Sequence, residues 1–81
     1  MIETNFSNAK LKGANLANSN LEMANLKNAN LSKANLSAAN LAGANLSGTS
    51  FRHANLAIVN FFEAKFCNTT MSDGSIRNDD C

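Results

Sequence analysis

The residues able to do acid–base, nucleophilic or metal chemistry are few: His53, Cys67, Cys81 and six carboxylates in a chain of 81 residues. One histidine with two cysteines matches no zinc-ligand spacing, and Asp73, Asp79 and Asp80 lack the alternating oxygen ligands of a calcium loop. His53 has no suitably spaced carboxylate or nucleophile and reads as a surface residue. Glu22 and Glu63 are 41 positions apart, with no cleft expected between them to hold a substrate, so they do not read as a catalytic pair. No glycine-rich phosphate loop is present. The chemistry points away from an enzyme: no catalytic, cofactor-binding or metal-binding residue is expected. Cys67 and Cys81 are expected as two free thiols.

Composition narrows the classes further. A net charge of +1 with 44% hydrophobic residues excludes a disordered polyelectrolyte and a strongly basic nucleic-acid binder. No apolar run approaches the ~18 residues of a membrane span, and residues 1–20 lack the basic start and apolar stretch of a secretory signal. The expectation is a soluble, cytoplasmic domain with no membrane partner.

What must position any functional side chain is a repeat. The stretch "ANLSKANLSAANLAGANL" places Ala-Asn-Leu every fifth residue. On an α-helix, leucines five apart wind around the whole cylinder; on a straight strand, an odd spacing sends them to alternate faces. The register of large apolar residues runs from Phe6 through Leu11, Leu16 and every fifth position to Phe66, Met71 and Ile76, with a mostly small residue two places before each. Positions two apart on an extended chain share a face, so each small–large pair points inward, and the polar residues between pairs suit a bend. Four bends near 90° close a square, residues twenty apart stack, and neighbouring coils pair their backbones at the strand spacing of ~4.8 Å.

Tandem A-[DN]-L-x-x units of this kind resemble the pentapeptide-repeat family, over residues 4–66 and more weakly to 78. The resemblance implies an all-β fold, a right-handed quadrilateral parallel β-helix, here of slightly under four coils. Residues 1–78 are expected to form the β-helix and 79–81 a C-terminal tail, because an Asp at the inward position 79 is costly to bury. Stacked asparagine amides are expected to bond between coils. The chain is similar to short pentapeptide-repeat proteins of photosynthetic bacteria, which implies a non-enzymatic structural or protein-interaction module. The alternative the resemblance offers is a DNA-mimicking topoisomerase (gyrase) inhibitor of the quinolone-protection type. That role uses acidic residues immediately before each central residue, where this sequence carries mostly Asn and no Asp or Glu.

Folding the square assigns outward residues to sides. The side built on Leu11, Leu31, Phe51 and Met71 carries a basic face of Lys10, Lys12, Lys33 and Arg52, with His53 and Asp73. The side built on Leu21, Leu41 and Phe61 carries Glu22 and Glu63, with Glu3 before it. A solvated basic face is favoured over a nucleic-acid contact. Ile58, Phe61, Phe62 and Phe66 gather near the C-terminal end as a candidate interface for a protein partner, a second copy of the chain among them. In the other reading, residues 67–81 fold over Phe62.

Overall fold

The computed structural model describes residues 4–81; Glu3 and the start of the chain lie outside the described residues. The repeat does close every twenty residues: Asn5 bridges Asn25, Lys10 bridges Asn30, and the parallel pairing continues without a break to Ser50 with Thr70. Four sides result, built on Leu11, Leu31 and Phe51 (side one), Leu16, Leu36 and Leu56 (side two), Leu21, Leu41 and Phe61 (side three), and Phe6, Leu26, Leu46 and Phe66 (side four). The leucines from Leu21 to Leu46, together with Phe51 and the alanines from Ala24 to Ala44, fill the tube and are almost wholly buried. Two buried threonines take the small inward position, and each satisfies its hydroxyl on a backbone carbonyl: Thr49 on Leu26 at 2.5 Å and Thr69 on Leu46 at 2.6 Å.

From Phe6 to Phe61, each bend is a four-residue turn in which the amide of the next small residue bonds the central residue's carbonyl, as Ala24 does with Leu21 at 3.0 Å. Its third residue has positive φ, as a type II turn requires. Asn or Gly holds that position in Asn8, Gly13, Asn18, Asn28, Gly43, Gly48 and Asn68, whereas Met23, Lys33, Ala38, His53, Ile58 and Glu63 hold it with side chains that resist it.

Backbone donors are accounted for in every interior repeat. In the repeat centred on Leu36, the Asn35 amide bonds Ala14 in the previous coil, while those of Leu36 and Ala38 bond Asn55 and Ala57 in the next coil. The Ala39 amide closes the turn, which leaves Ser37. Asn35 supplies the missing acceptor through its side-chain oxygen, at 3.1 Å. Asn20, Asn25, Asn30, Asn40, Asn45, Asn55 and Asn60 do the same for the residue two places on. The hydrogen bond that the asparagines make therefore runs within a coil, not between coils as expected. An Asx turn in each repeat that carries this Asn stabilises a donor that the β-helix geometry would otherwise strand.

The regular coil ends sooner than the sequence register suggests. Strand β1 (Thr69–Thr70) pairs antiparallel with β2 (Ile76–Arg77), Thr70 opposite Ile76, so the chain turns back after Met71. Ile76, expected inward, is exposed. Asp73 and Gly74 form the reversal: the Asp73 carboxylate accepts from the Ser75 amide and hydroxyl, and Gly74 takes φ 89° where a Cβ would lie 2.6 Å from the Arg52 guanidinium. Residues 79–81, expected as a C-terminal tail, are tied to the coil. The Asp80 carboxylate accepts from the Phe66 amide at 2.8 Å, and the Asp80 amide bonds the Phe66 carbonyl at 2.9 Å. Asn78 accepts from the Asn68 amide at 2.8 Å, and Cys81 is disulfide-bonded to Cys67. The expectation of two free thiols is thus corrected. Two cysteines 14 positions apart say nothing of pairing until the strap returns and brings their Cα atoms to 5.4 Å.

Candidate functional site: the C-terminal end and its two flanking corners

The strap formed by residues 72–81 covers only part of the last coil. Arg77 places its guanidinium 3.9 Å from the centre of the Phe66 ring and pairs with Asp79. That pairing holds the Asp79 carboxyl below its usual range, and hydrogen bonds from Ser75 do the same for Asp73. Phe66 is buried as a result, so one of the four expected interface residues is unavailable for contact. Phe61 is half-buried and packs edge-on against both Phe51 and Phe66, at centroid separations of 6.2 and 5.4 Å. The aromatic rings thus close the tube from inside.

Ile58 and Phe62 behave differently: they are 86% and 70% exposed, and the strap does not fold over Phe62. Each sits on a corner, at the two ends of the segment that carries Val59 and Phe61 inward. Beneath Phe62 in the stack lie Ala42 and Glu22, and beneath Glu63 lie Gly43 and Met23. Met23, 54% exposed, lays its sulfur over Gly43, where a Cβ would be 2.4 Å away. The corner below Ile58 carries Ala38 and Asn18. Two adjacent corners therefore present Ala, Met, Ile and Phe without a lysine or arginine, bordered by Glu22 and Glu63. Sequence reasoning found Ile58 and Phe62 but missed Met23; its signal was a large apolar residue at a turn position filled by Asn or Gly elsewhere.

The same apolar rim continues onto the end of the tube. Leu56, Val59 and Phe61 are half-buried, although Leu36, Ala39 and Leu41, twenty residues earlier in the stack, are at 0% exposure. A fourth coil begins over sides four and one with residues 66–71 and is not continued over sides two and three.

Lys12 and Arg52 occupy one column of the stack, with Ser32 between them, and Lys33 and His53 the next. Lys10 stands on the adjoining column with Asn30, Ser50 and Thr70, so the expected basic face is assembled and exposed. Arg52 also leans over the Gly74 turn. Glu22 and Glu63 share side three but in different columns and different coils. Among the described residues, no group of three or more His, Cys, Asp or Glu side chains converges to hold a metal. At the opposite end, Phe6, Leu11, Leu16, Leu21 and Leu26 line an open apolar cavity of about 240 Å³.

Comparison with known proteins agrees with this architecture. The family model described as pentapeptide repeats matches residues 1–37 and 34–73, in 8 copies. No curated protein matches the chain. Among solved structures, the chain is similar to a pentapeptide repeat protein (Rfr23) from the cyanobacterium Cyanothece 51142. The two are 31% identical with a TM-score of 0.59, over 86% of this chain and 52% of that one. It is also similar to a pentapeptide repeat protein of the Arabidopsis thaliana thylakoid lumen, at 32% identity and a TM-score of 0.50, over 94% of this chain and 57% of that one. The chain spans little more than half the length of either. A β-helix closing every twenty residues, a small–Asn–large repeat and these matches lead to one conclusion: the chain belongs to the pentapeptide-repeat family, whose members fold as right-handed β-helices.

Proposed function

We propose that the chain is a non-enzymatic protein-interaction module of just under four coils, which engages another protein through the corners that carry Ile58 and Phe62. One observation carries this reading. Ile58 stands at φ 60° and is 86% exposed, so a β-branched residue occupies a left-handed turn position without burying its side chain in return. Such a placement costs about 1–2 kcal/mol relative to a residue suited to it, and strain of this sort concentrates at contact sites. A large apolar neighbour at Phe62 extends the same surface. No observation favours the topoisomerase-inhibitor reading over this one.

The compartment is part of the proposal. The Cys67–Cys81 disulfide supports an oxidising compartment over the cytoplasm expected from the sequence, and a structural relative comes from the thylakoid lumen.

Ile58→Asn separates fold from function because the two effects have opposite signs. The variant should be more stable by about 1 kcal/mol in thermal melting, since Asn tolerates the left-handed turn. Immobilised beside wild type and exposed to extract of the native host, it should lose the species that wild type retains. A variant that melts lower, or that captures the same species, contradicts the reading.

A further inference from the structure

The interaction reading can be taken to the chemistry of the partner through the backbone of the last coil. On sides two and three of the first coil, the amides of Leu16, Asn18, Leu21 and Met23 donate to the carbonyls of Asn35, Ser37, Asn40 and Ala42, at 2.7–2.9 Å. The carbonyls of Ala14 and Ser19 accept in return from Asn35 and Asn40. The second coil repeats the pattern from Leu36, Ala38, Leu41 and Gly43 to Asn55, Ala57, Asn60 and Phe62. In the third coil, the corresponding amides of Leu56, Ile58, Phe61 and Glu63 and the carbonyls of Ala54 and Val59 have no intramolecular partner among the described residues.

An unpaired sheet edge beside half-buried apolar side chains is a template for one more strand. We infer that the vacant half-coil over sides two and three is a strand-addition site for an extended segment of another protein, with large apolar side chains set to cover Leu56 and Phe61. This inference rests on the interaction reading above. The occupant is constrained by three observations. The fourth coil already lies on this edge over sides four and one, so an added segment continues an existing sheet. The edge is donor-rich, offering four amides and two carbonyls, and an extended strand laid parallel in the established register answers with four carbonyls and two amides. A second copy set edge to edge would bring further donors against these donors and leave half of them unpaired. The segment 34–43, "ANLSAANLAG", makes the required bonds on the first coil and shows what fits: an inward large residue at every fifth position and small residues two places before.

The test uses the full chain, isotopically labelled, and a synthetic peptide with the sequence of residues 34–43. Peptide at about ten times its Kd should slow amide exchange at Leu56, Ile58, Phe61 and Glu63 by about tenfold. A peptide carrying Leu36→Asn and Leu41→Asn should not. No saturable change at these four amides, or an equal response to the substituted peptide, overturns the inference. So does protection that rises with protein concentration alone, because the occupant is then a second copy. Loss of this peptide site with partner capture still dependent on Ile58 leaves the interaction reading standing and removes only the strand-addition mode.

Discussion

Replacing Leu36 with Ala should cost about 2–5 kcal/mol, while replacing the next residue, Ser37, should cost less than about 0.5 kcal/mol. The contrast follows from the stack. Leu36 is at 0% exposure, with Leu16 and Leu56 above and below it in the same column of side two. Its neighbours are themselves held by coil-to-coil backbone bonds: Asn35 to Ala14 at 2.9 Å and Leu36 to Asn55 at 2.9 Å. A β-helix side cannot move inward to fill the space without breaking those bonds, so the cavity stays open and the cost falls towards the upper part of the range. Ser37 engages only its backbone, the amide with the Asn35 side chain and the carbonyl with the Asn18 amide, and Ala keeps both bonds. Thermal melting followed by circular dichroism measures both. Equal melting of the two variants would contradict the inward and outward assignment.

Removing the disulfide should be the second large effect. Cys67 and Cys81 close a loop over a sequence separation of 14, for which the chain-entropy account gives about 3 kcal/mol. In a domain of this length that corresponds to a fall of roughly 12–24 °C in Tm. The loss should be local at first. Cys81 ends the segment whose Asp80 and Asn78 satisfy the Phe66 and Asn68 amides, so freeing it releases those acceptors and uncovers Phe66. Melting wild type with and without a phosphine reductant, beside Cys67→Ser/Cys81→Ser, checks this. The reductant should lower the wild type to the level of the double variant and leave the variant unmoved. A wild type indifferent to reductant would show that the sulfurs are not linked.

The contrast between coil and strap explains what could be read from residues alone. From Phe6 to Phe66 the information is periodic: each small–large pair meets its own kind twenty residues on, so one local rule is enforced by every neighbour. The basic face was legible for the same reason, since Lys12 and Arg52 share a column by arithmetic. Ile76 continued the period but not the fold. The strap's geometry depends on single long-range partners, Asp80 with Phe66, Asn78 with Asn68 and Cys81 with Cys67, and none of these leaves a pattern in sequence. The role of the asparagines was hidden differently. Their spacing was plain, but only the backbone accounting shows that one amide per repeat lacks an acceptor. The candidate site divides along the same line: Ile58 and Phe62 stood out as apolar residues at polar positions, whereas burial of Phe66 required the return of Arg77.

Amide hydrogen exchange on the free protein tests most directly whether the β-helix stops with an open half-coil beside Ile58 and Phe62. The amides of Leu36, Ala38, Leu41 and Gly43 should be protected to the level of global unfolding, and those of Leu56, Ile58, Phe61 and Glu63, one coil further on, should exchange orders of magnitude faster. Equal protection in the two sets, at a protein concentration where the chain sediments as a monomer, would mean that the edge is already covered.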